Sequence, residues 1–176
     1  TPVKSVDEFY DQNILEYINT NSLARGPIFI PRHTFYTINN KAYEKIFLTI
    51  IFCELPRSGT PEAAVVINVN QQELQNVMSW YGAEEGTRIF VINQEGLIIS
   101  HPDSEMVNRN LLGEKYIKDI IESESKIGYF TTEVEGEKSL VTFMKSDKAL
   151  GWIFISTGEY KKLLSRISVL QYKVYV

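Results

Sequence analysis

Apolar positions recur at helical spacing over residues 6–18, where Val6, Phe9, Tyr10, Ile14, Tyr17 and Ile18 approximate one face. Ser5, followed by Asp7 and Glu8, supplies a hydroxyl cap and acidic side chains near the positive end of the helix dipole. Residues 19–26 read as a loop. Residues 27–31, bracketed by Pro27 and Pro31, read as an extended segment away from a sheet centre. Three β-prone runs follow at 34–39, 43–55 and 63–69, and the last is so continuously apolar that it predicts an inner strand. The run Pro56-Arg57-Ser58-Gly59-Thr60-Pro61 between the second and third is a turn. Residues 71–80 return to helical spacing, with Leu74, Val77, Met78 and Tyr81 on one side and Asn70 as the cap. The polar stretch 81–86, with two glycines, predicts a module boundary.

The second half alternates more cleanly. Strands over 88–93 and 97–100 flank Gln94-Glu95-Gly96 and predict a hairpin. Residues 101–110 read as a polar loop, and 111–123, with Leu112, Tyr116, Ile117, Ile120 and Ile121, as an amphipathic helix. Strands are predicted at 128–135, 138–144 and 152–157, followed by a helix whose stripe is Tyr160, Leu163, Leu164, Ile167 and Leu170. The order strand, strand, helix, strand, strand, strand describes a five-stranded antiparallel sheet with a helical insertion on one side. The first half matches the back end of the same pattern. The fold class is therefore α+β: antiparallel sheets flanked by helices, one complete module preceded by a partial one.

Composition narrows the function. The 176-residue chain is 44% hydrophobic and 12% aromatic, enough to bury a core. Its net charge of −4 argues against a general electrostatic grip on nucleic acid or an anionic membrane surface. The lone Cys53 cannot form an internal disulfide and reads as a packing residue. No apolar run is long enough to span a bilayer and no signal peptide is visible; the chain starts at Thr1 rather than Met, as an excised fragment would.

Enzymatic chemistry finds no foothold. His33 and His101 stand far apart with no carboxylates at metal-ligand spacing, so no metal and no cofactor are expected. There is no phosphate loop and no nucleophile elbow. The acidic run Glu122, Glu124, Glu133, Glu135 and Glu137 reads as a solvated face. His101, before Pro102, reads as a turn residue that is solvated or hydrogen-bonded. Trp152 and Phe130 read as packing residues, and Tyr116, Tyr129 and Phe143 as packing residues with pocket-lining as the alternative.

The stretch Arg88-Ile-Phe-Val-Ile-Asn-Gln-Glu-Gly-Leu-Ile-Ile-Ser-His-Pro resembles the opening hairpin of Cache domains, the PAS-like sensor modules of bacterial receptors. Asn110-Leu-Leu-Gly113, Ile127-Gly-Tyr-Phe130 and Leu150-Gly-Trp-Ile-Phe-Ile-Ser156 resemble, in order, the step before the family's helix, the strand after it and the closing Gly-Trp strand. The likeness covers residues 83–168 well and the first half in outline. It implies a double-Cache extracytoplasmic sensor of a membrane-anchored receptor, similar to those of Gram-positive AraC-type regulators and histidine kinases. The implied organisation is a membrane-distal module over 1–82, lacking its first strands, a proximal module over 83–160 and an exit helix over 161–176. It further implies no catalysis, no nucleic acid bound by this fragment, and a small ligand such as a carboxylate or amino acid. A protein-interaction module without a ligand, including a homodimer, is the alternative. The candidate ligand residues are Arg32, Tyr36 and Glu54, with Tyr10 and Asp11 on the helix side; Arg32 suits a carboxylate because its planar fork offers two parallel hydrogen bonds.

Overall fold

A computed structural model describes residues 11–21, 27–53, 63–80, 86–147 and 151–164, excluding the side chains of residues 21 and 35–38. The chain divides into two compact units, Thr1–Ile30 with Leu48–Val69 and Pro31–Phe47 with Asn70–Val176.

Helix α1 (Gln12–Asn21) is followed by strands β1 (Ile28–Ile38), β2 (Lys41–Cys53) and β3 (Ala64–Asn70), which form a three-stranded sheet in the order β1-β2-β3. Asp11 starts α1, its carboxylate accepting the Ile14 N–H at 3.4 Å. Ile14, Ile18 and Ile51 form a small core, and Cys53 packs against it half-buried. Pro31 lies within β1, an edge strand among the described residues, where its missing donor is tolerated. The inner strand expected at 63–69 is an edge strand of this sheet, with Val65 59% exposed and Ile67 44% exposed. A continuous apolar run marks a strand that suits burial on both faces; whether neighbours cover it is decided elsewhere in the fold.

Helix α2 (Gln71–Trp80) leads into the larger sheet. Strands β4 (Thr87–Ile92) and β5 (Ile98–Ser100), helix α3 (Lys115–Glu122), and strands β6 (Ile127–Val134), β7 (Glu137–Lys145) and β8 (Ile153–Glu159) follow. The sheet is antiparallel in the order β5-β4-β8-β7-β6; its five antiparallel strands are those the sequence predicts, and the structure adds their order. The β4–β5 turn is closed by Asn93, whose side-chain oxygen accepts the N–H of Glu95 at 3.0 Å and of Leu97 at 2.9 Å. The β6–β7 hairpin turns through Glu135 (φ 53) and Gly136 (φ 82), two successive left-handed residues that match the twist of the strands.

Alternation sets the faces. Phe90, Ile92, Val141, Phe143, Ile153 and Ile155 point to one side, where Tyr116, Ile117 and Ile120 of α3 close over them as the main core. The opposite face is apolar but bare at the β6–β7 end: Ile127 is 72% exposed and Tyr129 80% exposed. Tyr129 is thus a surface residue, not a packing one, because it is out of phase with Phe130 on the same strand. Trp152 is half-buried against the edge of Phe154 rather than inside the core. The predicted exit helix is present over residues 160–164; the rest of it lies outside the described residues. Among the described residues no helix is long and apolar enough to cross a membrane.

Candidate ligand cavity

Arg88 is in phase with Phe90 and Ile92 along β4, and it pairs across the sheet with Thr157 of β8. Both therefore sit on the core side, at the end of the sheet that α3 leaves open. There the fold encloses a cavity of about 360 Å³, lined by Arg88, Phe90 and Thr157 from the sheet, His101 and Met106 from the loop after β5, and Glu114 and Tyr116 at the start of α3. The β6–β7 hairpin contributes Glu133 and Glu135 to the lining. The volume lies in the range of small-molecule sites.

Three buried polar side chains line this space. Tyr116 is 8% exposed, His101 7% and Thr157 3%. Among the described residues the Tyr116 and Thr157 hydroxyls make no hydrogen bond. His101 uses one ring nitrogen only: Nδ1 accepts the backbone N–H of Asp103 at 3.0 Å. In that arrangement the ring proton sits on Nε2. The ring also tilts against Phe90, with centroids 5.4 Å apart. His101, Tyr116 and Thr157 thus give this cavity a polar lining that a polar ligand would meet.

Burial governs the electrostatics. It lowers the pKa of His101 below the ordinary histidine value, aided by the Arg88 charge and opposed by the Asp103 backbone and the carboxylates of Asp103 and Glu135. Burial, with the Glu114 and Glu135 carboxylates, pushes the Tyr116 hydroxyl up to about 12, so it stays protonated at neutral pH. At the rim Arg88 Nη1 meets Glu135 Oε2 at 2.8 Å, with Arg88 42% and Glu135 66% exposed. The left-handed backbone at Glu135 holds that carboxylate over the cavity mouth.

A buried hydrogen-bond network ties the cavity wall to α2. Gln71 Nε2 donates to the His101 carbonyl at 2.7 Å, and Gln75 Nε2 donates to Ser100 Oγ at 2.7 Å. The backbone that carries the His101 ring is thereby fastened to the first turns of α2.

Of the residues expected from the sequence, neither Asp11 nor Arg32 lines this cavity. Asp11 serves as the start of α1. Arg32 is half-buried in β1, in the other compact unit from Asp11. Tyr36 belongs to β1, its side chain outside the described part; Tyr10 and Glu54 lie outside the described residues. Sequence reading missed Arg88 and Thr157 and took His101 as a turn residue. The hydrogen bond expected of His101 is present, but the ring is buried rather than solvated. A signal for Arg88 existed: a charge in phase with Phe90 and Ile92 on a core-facing strand. Among the described residues no group of side chains could hold a metal ion.

No protein-family model matches the chain, and no curated protein matches it. Solved structures do. The periplasmic sensory domain of the Campylobacter jejuni chemoreceptor Tlp1 superposes with a TM-score of 0.62 at 14% identity, covering 92% of this chain and 59% of that one. The ligand-binding domain of the Pseudomonas aeruginosa amino acid chemoreceptor PctB, in complex with L-arginine, gives 0.62 at 18% identity over 89% of this chain and 58% of its own. That of Pseudomonas fluorescens CtaA with L-isoleucine gives 0.58 at 18% identity over 90% and 62%. This chain thus spans about three fifths of the length of these structures. The α+β fold, antiparallel sheets flanked by helices, is the one these sensory and ligand-binding domains share.

Proposed function

We propose that the chain is a non-enzymatic, extracytoplasmic sensing domain of a bacterial transmembrane receptor, which binds a small ligand and relays its presence to a cytoplasmic output. The observation that carries this reading is the cavity between the five-stranded sheet and α3, lined by the buried polar side chains of His101, Tyr116 and Thr157. The likeness to chemoreceptor sensor domains supports the location and role. The output, a transcription regulator of the AraC type or a histidine kinase, follows from the resemblance of the sequence. So do the module division at 1–82 and 83–160, the exit helix over 161–176, and a further ligand site at Arg32, Tyr36, Glu54, Tyr10 and Asp11. For relay, the Gln71–His101 bond offers a direct route: a ligand that moves the His101 ring strains the attachment of α2. A coupling of about 1–3 kcal/mol suffices for such a switch.

The test is a thermal melt of the purified chain against amino acids, small carboxylates, amines and sugars. A ligand at about 100 times its Kd adds about 2.7 kcal/mol, or about 5–10 °C in Tm for a chain of this size. A shift abolished in Tyr116→Phe assigns sensing to the α3 cavity. A shift abolished in Arg32→Ala instead assigns it to the residues expected from the sequence.

A second reading, a protein-interaction or dimerisation module, is favoured by one observation: the bare apolar face carrying Ile127, Tyr129 and Met144. A flat melt panel together with a dimer in sedimentation, dispersed by Tyr129→Glu, would put this reading first.

A further inference from the structure

The charges around the α3 cavity are unequal. Three carboxylates, those of Glu114, Glu133 and Glu135, line it against one guanidinium, that of Arg88. Arg88 is already matched by Glu135 at 2.8 Å. Among the described residues neither Glu114 nor Glu133 forms an ion pair, Lys138 standing opposite Glu133 across the hairpin without bonding it, and Glu114 makes no cap bond to its own helix. His101 adds no balancing charge at neutral pH, since burial favours its neutral form. The excess of carboxylates over guanidinium in the lining concentrates cations at the cavity mouth.

The interior continues the same preference. The Tyr116 and Thr157 hydroxyls can each accept a hydrogen bond as well as donate one, and neither has a partner among the described residues. Phe90 and Tyr116 add aromatic rings to the lining, a residue type that attracts a desolvated cation. Met106, Leu111 and Val134 supply apolar wall for a short hydrocarbon stem. A lone carboxylate would enter against the two unmatched glutamates.

We propose that this cavity takes a small organic ammonium ion, a primary amine on a short aliphatic stem. The ammonium group sits between Glu114 and the Tyr116 hydroxyl, and the stem lies toward Phe90 and Met106. The inference rests on the reading of the cavity as the sensory site and names its ligand class.

The probes are propylamine and 1,4-diaminobutane, set against alanine and propionate of matched size, followed by calorimetric titration of the purified chain. The amines are expected to bind and propionate not to. Tyr116→Phe, which removes a single oxygen, and Glu114→Gln should each weaken amine binding about tenfold or more, the worth of a hydrogen bond to a charged group. Glu122→Gln, on the same helix but outside the cavity lining, should leave affinity unchanged and so excludes general charge attraction. Binding of propionate or alanine alone, lost in Tyr116→Phe, overturns the amine assignment while the sensory cavity stands. Amine binding that is indifferent to both Tyr116→Phe and Glu114→Gln overturns it as well. A chain that binds none of the four, and whose broader melt panel is also flat, removes both the assignment and the reading beneath it.

Discussion

The ring of His101 is 7% exposed and held by the Asp103 N–H, so the folded state prefers it neutral. Its pKa in the fold lies below 6.5, the unfolded value. Between those two values the unfolded chain binds a proton that the folded chain refuses. The contribution of His101 is therefore fully present above about pH 6.5 and is lost as pH falls toward the folded pKa. Urea unfolding at pH 7.5 and pH 5.5 should show this loss. In His101→Asn, whose amide oxygen can still accept the Asp103 N–H, the dependence should be shallower; equal slopes would remove His101 as a source. The Asp103 carbonyl also lies 3.0 Å from Nδ1, so a protonated ring has an acceptor ready and the loop after β5 need not open to charge it. Position in the chain hinted at none of this. His101 before Pro102 looks like a turn, and only the closing of α3 and β4 over it makes it buried.

Helix α3 illustrates how an element binds core and cavity together. Ile117 and Ile120 are fully buried against the sheet, and their stripe was plain from i, i+3, i+4 spacing. Ile120→Ala should cost about 2–5 kcal/mol in denaturant unfolding, through lost burial and the cavity left behind. Tyr116 shares that stripe, which is why spacing alone reads it as packing; its hydroxyl faces a void because the sheet beneath ends in Arg88 and Thr157 rather than in larger apolar residues. Across β6 and β7 the register pairs Gly128 with Phe143. A Cβ on Gly128 would stand 2.5 Å from the Phe143 ring, so the glycine is the space the ring occupies. Gly128→Ala should displace Phe143 and cost about 1–3 kcal/mol, read as a lower urea midpoint at unchanged m. The outer face of the same two strands was half legible: alternation shows that Ile127, Tyr129 and Met144 share a side, but not that all three are exposed.

At the scale of the whole molecule the net charge of −4 and pI near 5.3 set colloidal behaviour. Self-repulsion vanishes near the pI, so light scattering of the purified chain should be greatest near pH 5.3 and fall on either side. The loss of His101 stabilisation lies in the same descent from neutral pH, and the two separate because added salt shifts scattering but leaves a buried ring almost untouched. The same negative balance, gathered at the mouth of one cavity, is what gives the amine proposal its sign.

The sequence by itself determined the order of elements, the hairpins and the five-stranded antiparallel arrangement of the second half, because these follow from periods of 2 and 3.6 and from local turn chemistry. Asn93 and Gly96, and Glu135 and Gly136, specify their turns within a few residues of chain. Only the tertiary structure decided that β3 is an edge strand, that Trp152 and Tyr129 lie outside the core, and that Arg88, His101, Tyr116 and Thr157 line one cavity. Those residues come from four separate segments. What joins them is non-local strand pairing and the seating of a helix, contacts that no window along the chain contains.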